Sequence, residues 1–163
     1  MKNESQLKPI KTPKISRRNL PHWEYPGSCY FITFRTKDGV FLDDISKDIV
    51  IKTLLFHAGK KYSLFACVVM STHVHLILEP LKNSPDSYFS LGQIVHSIKS
   101  YSANEIAKHL KKNDFIWLDE RYDRVIRNDD ELFEEMSYIV NNPVKDGLVT
   151  RPEDYKWLFC KSE

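Results

Sequence analysis

The sequence predicts an α+β domain, an antiparallel sheet with helices packed on one face. Three observations carry this. Apolar residues switch between a period of two and a period near 3.6 along the chain, in the order β-α-β-β-α-β-α. That order matches the split βαβ, ferredoxin-like pattern with one added helix. The chain has 163 residues and 42% hydrophobic content, enough for one domain with a sizeable core.

The elements follow in order. Residues 1–18 are polar, broken by proline and basic, and read as a flexible arm ahead of a single domain over 19–163. Pro21 to Gly27 is a turn-rich lead-in. Cys29 to Arg35 is β-branched and aromatic, a first strand. The period then changes. Ile45, Ile49, Leu54 and Leu55 predict a helix reaching about Gly59, with Asp43 or Asp44 as N-cap. Ser63 to Met70 is an apolar strand, and Ser71-Thr72 turns the chain into a returning strand over His73 to Glu79. After a polar loop, a helix from about Ser90 to Lys111 carries the stripe Leu91, Ile94, Val95, Ile98, Tyr101, Ile106 and Leu110. Phe115 to Arg127 is a further strand region. A last helix begins near Asp129, where an acidic cluster suits a helix N-terminus, and is expected to end at Asn142-Pro143. Trp157 and Phe159 then pack back on the body.

Composition excludes several classes. No uncharged apolar run approaches the length of a membrane span, and no secretory pattern opens the chain. The three cysteines make no CxxC pair, which argues against a disulfide framework and a thiolate zinc site and fits a reduced, cytoplasmic setting. Net charge is only +2, yet Lys2, Lys8, Lys11, Lys14, Arg17 and Arg18 crowd the N-terminal arm. A basic arm on a near-neutral body suits a polyanion such as nucleic acid; a solvated tail suits it equally.

The chemistry-bearing pattern is His73-Val74-His75. In a strand, side chains at i and i+2 leave the same face, so the imidazoles stand side by side while Val74 and Leu76 turn to the opposite, buried face. Two neutral imidazoles form half of a metal site. On the last helix, Tyr138 and Asn142 lie off the apolar stripe and, four residues apart, share a face. Asn142 can offer a carbonyl oxygen to a hard cation. Tyr138 can offer a phenol as nucleophile toward phosphorus, although its ordinary pKa of about 10 requires activation. Tyr101 is a rival nucleophile, but its place on the helix stripe predicts a core role.

These motifs resemble the single-tyrosine HUH transposases and, within them, the REP-associated tyrosine transposases. The resemblance rests on His73-Val74-His75 within Val68 to Glu79 and on Tyr138-Ile139-Val140-Asn141-Asn142-Pro143. The openings Arg18 to His22 and Tyr30 to Arg35, and Trp117 to Tyr122 running into Arg127, add to it. It covers roughly residues 17–157. It implies that Tyr138 is the nucleophile, that His73, His75 and Asn142 hold magnesium or manganese, and that the DNA is single-stranded and carries a hairpin. Cleavage would leave a 5′-phosphotyrosine and a free 3′-OH. It further implies a bacterial, nucleoid-associated protein acting as a monomer, with a dimer as the alternative. Arg17, Arg18, His22, Lys99, Arg121 and Arg127 are the expected DNA contacts. A non-catalytic nucleic-acid-binding module of the same fold is the competing reading, and a small metallohydrolase without a covalent step is a third.

Overall fold

The predicted elements form in the computed structural model, which describes residues 14–17, 21–112 and 115–162; at 14–17 and 21–23 it describes the backbone alone. A hairpin opens it, β1 (Lys14–Arg17) pairing antiparallel with β2 (Pro21–Glu24). Within the stretch expected to be an arm, Lys14–Arg17 pairs as a strand; Arg18 and residues 1–13 lie outside the described residues. Then come β3 (Cys29–Thr36), α1 (Asp44–Phe56), β4 (Tyr62–Val69), β5 (His73–Pro80), a small hairpin of β6 (Lys82–Ser84) and β7 (Ser87–Tyr88), and α2 (Leu91–Leu110). The chain closes with β8 (Trp117–Ile126), α3 (Asp129–Lys145), a 3-10 turn (Pro152–Asp154) and β9 (Leu158–Cys160).

The main sheet has the order β8-β3-β5-β4-β9, antiparallel at every pairing. Its first four strands keep the spatial order expected of the split βαβ pattern, and β9 is the C-terminal segment returning as an edge strand. Both sheet helices begin on capping side chains. Asp43 accepts from the Ser46 amide at the start of α1, and Ser90 accepts from the Gln93 amide at the start of α2. Glu24 reaches from β2 to accept from the amides of Leu91 and Gly92 and from the Ser90 hydroxyl. A carboxylate on a helix N-terminus thus fastens the N-terminal hairpin to the body.

Strand register divides the core between two faces. Tyr30, Ile32 and Phe34 of β3 and Val74, Leu76 and Leu78 of β5 share one face, each at most 2% exposed. α1 and α2 cover it. The Tyr62 hydroxyl donates to the Leu54 carbonyl in α1, while Trp117, edge-on to Phe34, donates to Ser102 in α2. α3 lies on the opposite face, beside Phe31 and His75. The expectation that the helices share one face is thus corrected for the added helix. Strands whose residues are buried at both alternating positions need covering on both sides, and the α1/α2 layer covers only one.

Two further expectations change. Tyr101 is 58% exposed, because the buried position one turn after Ile98 belongs to Ser102, whose hydroxyl receives the Trp117 indole. Tyr101 is also carried by the helix layer on the face away from the histidine pair, which removes it as a rival nucleophile. α3 does not stop at Pro143 but runs on to Lys145. Proline costs one helix donor there, yet the chain closes the helix past it: the amide of Asp146 donates to the Asn142 carbonyl, and that of Leu148 to the Pro143 carbonyl. Asn142 is thereby held inside the helix, its face fixed.

Candidate active site on the face covered by the third helix

β5 delivers the imidazoles. The loop before it is tied down, since the Thr72 carbonyl accepts from both the amide and the hydroxyl of Thr36 on β3. His73 and His75 then project together, ring centroids 4.8 Å apart. Val74 and Leu76 point the other way into the core at 0% exposure, as the alternation requires. His75 itself is only 7% exposed, stacked against Phe31 with centroids 5.6 Å apart.

Each imidazole has one nitrogen engaged. Thr33, the cross-strand neighbour of His75, places Oγ1 2.7 Å from His75 Nδ1. Thr72 places Oγ1 3.2 Å from His73 Nδ1. In the tautomer with its proton on Nδ1, each ring donates to a threonine hydroxyl and keeps a lone pair on Nε2. Burial favours that neutral form. It pushes the His75 pKa down to about 4, with the adjacent His73 adding to the shift, and lowers that of His73.

α3 completes the site. Glu131, Glu135, Tyr138, Asn142 and Lys145 recur at steps of four, three, four and three, one stripe of the helix. The Tyr138 ring lies 5.3 Å from that of His75 and 6.1 Å from that of Phe31, edge-on to both. Asn142 reaches His73 closely enough to favour its protonated form, against the effect of burial. Yet Asn142, 5% exposed, has its Oδ1 buried with no hydrogen-bond donor. With the His73 proton on Nδ1, the ring and the amide oxygen both present lone pairs, which a cation between them would satisfy; with the proton on Nε2, the ring itself can donate to the amide. Two imidazoles and an amide oxygen fit a divalent ion of intermediate hardness. Among the described residues no group of three or more His, Cys, Asp or Glu could hold a metal.

A residue that the sequence reading missed anchors this helix. Arg124 on β8 pairs with both Glu131 and Glu135 of α3, and its guanidinium lies 5.8 Å from the centroid of Phe31. The sequence signal was the i, i+4 glutamate pair, which reads as a helix face until a strand supplies the cation between them. Of the expected DNA contacts, Lys99 donates to the carbonyls of Leu118 and Asp119, and Arg121 is paired with Asp123 at 2.7 Å on the face turned away from the histidines. Arg127 is exposed at the end of β8. Arg17 and His22 stand on the opening hairpin, their side chains outside the described residues, as is Arg18.

The geometry defines a class: a ferredoxin-like sheet presenting an HxH strand to a helix that carries a tyrosine and an amide. No protein-family model matches the chain, and no curated protein does. Among solved structures, the fold is that of a REP-associated tyrosine transposase determined bound to a REP hairpin. The TM-score is 0.67 and the identity 19%, over 87% of this chain and 82% of that one. A protein from Deinococcus radiodurans R1 taken to be a transposase also aligns, at 21% identity over 69% of this chain and 88% of its own, with a TM-score of 0.46. No helix of the described residues is long and apolar enough to cross a membrane.

Proposed function

We propose that this protein is a metal-dependent, single-tyrosine DNA strand transferase that cuts and rejoins hairpin-bearing single-stranded DNA. One observation carries the reading. The Tyr138 ring sits 5.3 Å from His75, on the same helix stripe as a buried Asn142 Oδ1 that lacks a donor. A phenol, two imidazole donors and a free amide oxygen thus converge. Most buried acceptors are hydrogen-bonded, so an unpartnered one beside two imidazoles supports a cation-binding role.

His73, His75 and Asn142 would hold the ion, and their nitrogen donors favour manganese over magnesium. A bound divalent ion would supply positive charge to a phosphoryl oxygen. The chain's own groups do the rest. Thr33 and Thr72 orient the imidazoles, and Phe31 and His75 wall the tyrosine ring on its buried side. Tyr138 Oη gives up its proton and forms a bond to phosphorus. The bond from phosphorus to O3′ breaks, and the leaving oxygen takes up a proton as a free 3′-OH. The 5′-phosphotyrosine conserves the bond energy, and attack by another 3′-OH rejoins the strand and restores the phenol.

The test is a covalent adduct on denaturing gels after incubation with manganese and a hairpin-bearing single-stranded oligonucleotide. An adduct is expected from the wild type and lost in Tyr138→Phe and with chelator. Equal adduct from Tyr138→Phe refutes the assigned nucleophile. Binding insensitive to chelator, with no adduct under any divalent ion, favours a non-catalytic module of the same fold.

A further inference from the structure

We propose that Arg35 and Lys145 form a two-sided clamp for the phosphodiester brought to Tyr138. The inference rests on the strand-transferase reading and assigns that site its substrate-holding residues.

The argument comes from sorting the cations around the site. Arg124 is neutralised by Glu131 and Glu135, Arg121 by Asp123, and the ammonium of Lys99 is occupied by two backbone carbonyls. Arg35 and Lys145 differ. Neither forms an ion pair with a carboxylate among the described residues, and both are exposed. Arg35 is the register partner of His73 on the neighbouring strand, so its side chain leaves the sheet on the same face as the histidines. Lys145 continues the stripe of Tyr138 and Asn142 and holds its ammonium 6.0 Å from the centre of the Tyr138 ring. The two cations therefore flank the imidazoles and the phenol from opposite elements, one from the sheet and one from the helix.

Two cations beside the histidines and the tyrosine, without carboxylate partners among the described residues, repel one another, and an anion between them relieves that repulsion. The guanidinium fork matches two phosphate oxygens, and the ammonium contributes a mobile point charge. Such cations also stabilise the charge that builds on the phosphoryl oxygens as Tyr138 attacks.

Arg35→Gln, Lys145→Gln and the double variant test this, with Lys52→Gln on α1, in the helix layer of the other face, as the control. Binding of a fluorescein-labelled hairpin-bearing single-stranded oligonucleotide is followed by anisotropy across a salt series in chelator. Each site variant is expected to lower the salt slope by about 0.7, the value of one phosphate contact on a single strand, and the double variant by about twice that. Lys52→Gln keeps the wild-type slope, and Arg35→Lys recovers the slope but not the full adduct rate. With manganese, adduct formation at saturating DNA falls at least 10-fold in Arg35→Gln, while manganese affinity measured without DNA is undiminished. Unchanged slopes, or the same drop in Lys52→Gln, overturn the clamp. Because binding is read in chelator, the clamp can fail while Tyr138 still forms its adduct, and the adduct can fail while the clamp holds.

Discussion

Acid should destabilise the metal-free protein through His75. Its imidazole titrates at about 4 in the folded chain because of burial and the neighbouring His73, against an ordinary value of 6.5. Folding therefore prefers the neutral ring. Stability from this group is complete above pH 6.5 and falls as pH drops toward 4, since the unfolded chain binds a proton that the folded chain refuses. At pH 5 the preference amounts to a factor of about 30, or about 2 kcal/mol, a large share of the total stability of a domain this size. The assay is urea unfolding in chelator at pH 7.5 and pH 5, for the wild type and for His75→Gln. With an ordinary urea dependence, the wild-type midpoint should fall by roughly 1 M more than that of the variant. Comparing the two proteins removes what His73, His57 and the carboxylates contribute in common. Equal shifts in both would refute the account of a buried, neutral His75.

The remaining predictions concern the supports of the site. Asn142→Leu removes a buried acceptor that has no donor, so the metal-free protein should hold or gain about 1 kcal/mol, while the rise in melting temperature on adding manganese disappears. Differential scanning fluorimetry with and without the ion reads both effects, and a retained manganese shift would dismiss Asn142 as a ligand. Arg124→Met leaves Glu131 and Glu135 without their shared cation, loosening the half of α3 ahead of Tyr138. Adduct formation should slow while DNA affinity is kept, and an unchanged single-turnover rate would count against a positioning role. Glu24→Ala removes the carboxylate that accepts from Ser90, Leu91 and Gly92. A cost of about 1–2 kcal/mol, seen as a lower melting temperature, is expected, along with faster amide exchange in the opening hairpin.

Much of this was written locally. The facing of His73 and His75 follows from period-two geometry, and the shared face of Tyr138 and Asn142 from a four-residue step, so both survive whatever surrounds them. The Asp43 cap and the order of the main elements along the chain also follow from local signals. What misled was competition between neighbours. Tyr101 and Ser102 lie three and four residues after Ile98, so both satisfy the helical period, and only the hydrogen bond from Trp117 to Ser102 decides which of them is buried. Asn142-Pro143 reads as a helix stop, yet closing bonds beyond it let α3 continue. Lys99 and Arg121 look like free cations in the sequence, and only their contacts with backbone carbonyls and Asp123 reveal them as internal ties.

The sequence by itself determined the element order, the paired imidazoles on one strand face and the tyrosine and amide on one helix face. Those depend on backbone periodicity, which needs no distant partner. Only the tertiary structure decided that α3 crosses the face opposite α1 and α2, that Arg124 pins it there, and that Asn142 Oδ1 is buried beside His73 without a donor. These depend on which groups meet across the sheet and on what water is excluded from them. The same burial keeps the imidazoles neutral and leaves an acceptor unsatisfied, and neither property exists until the helix has docked.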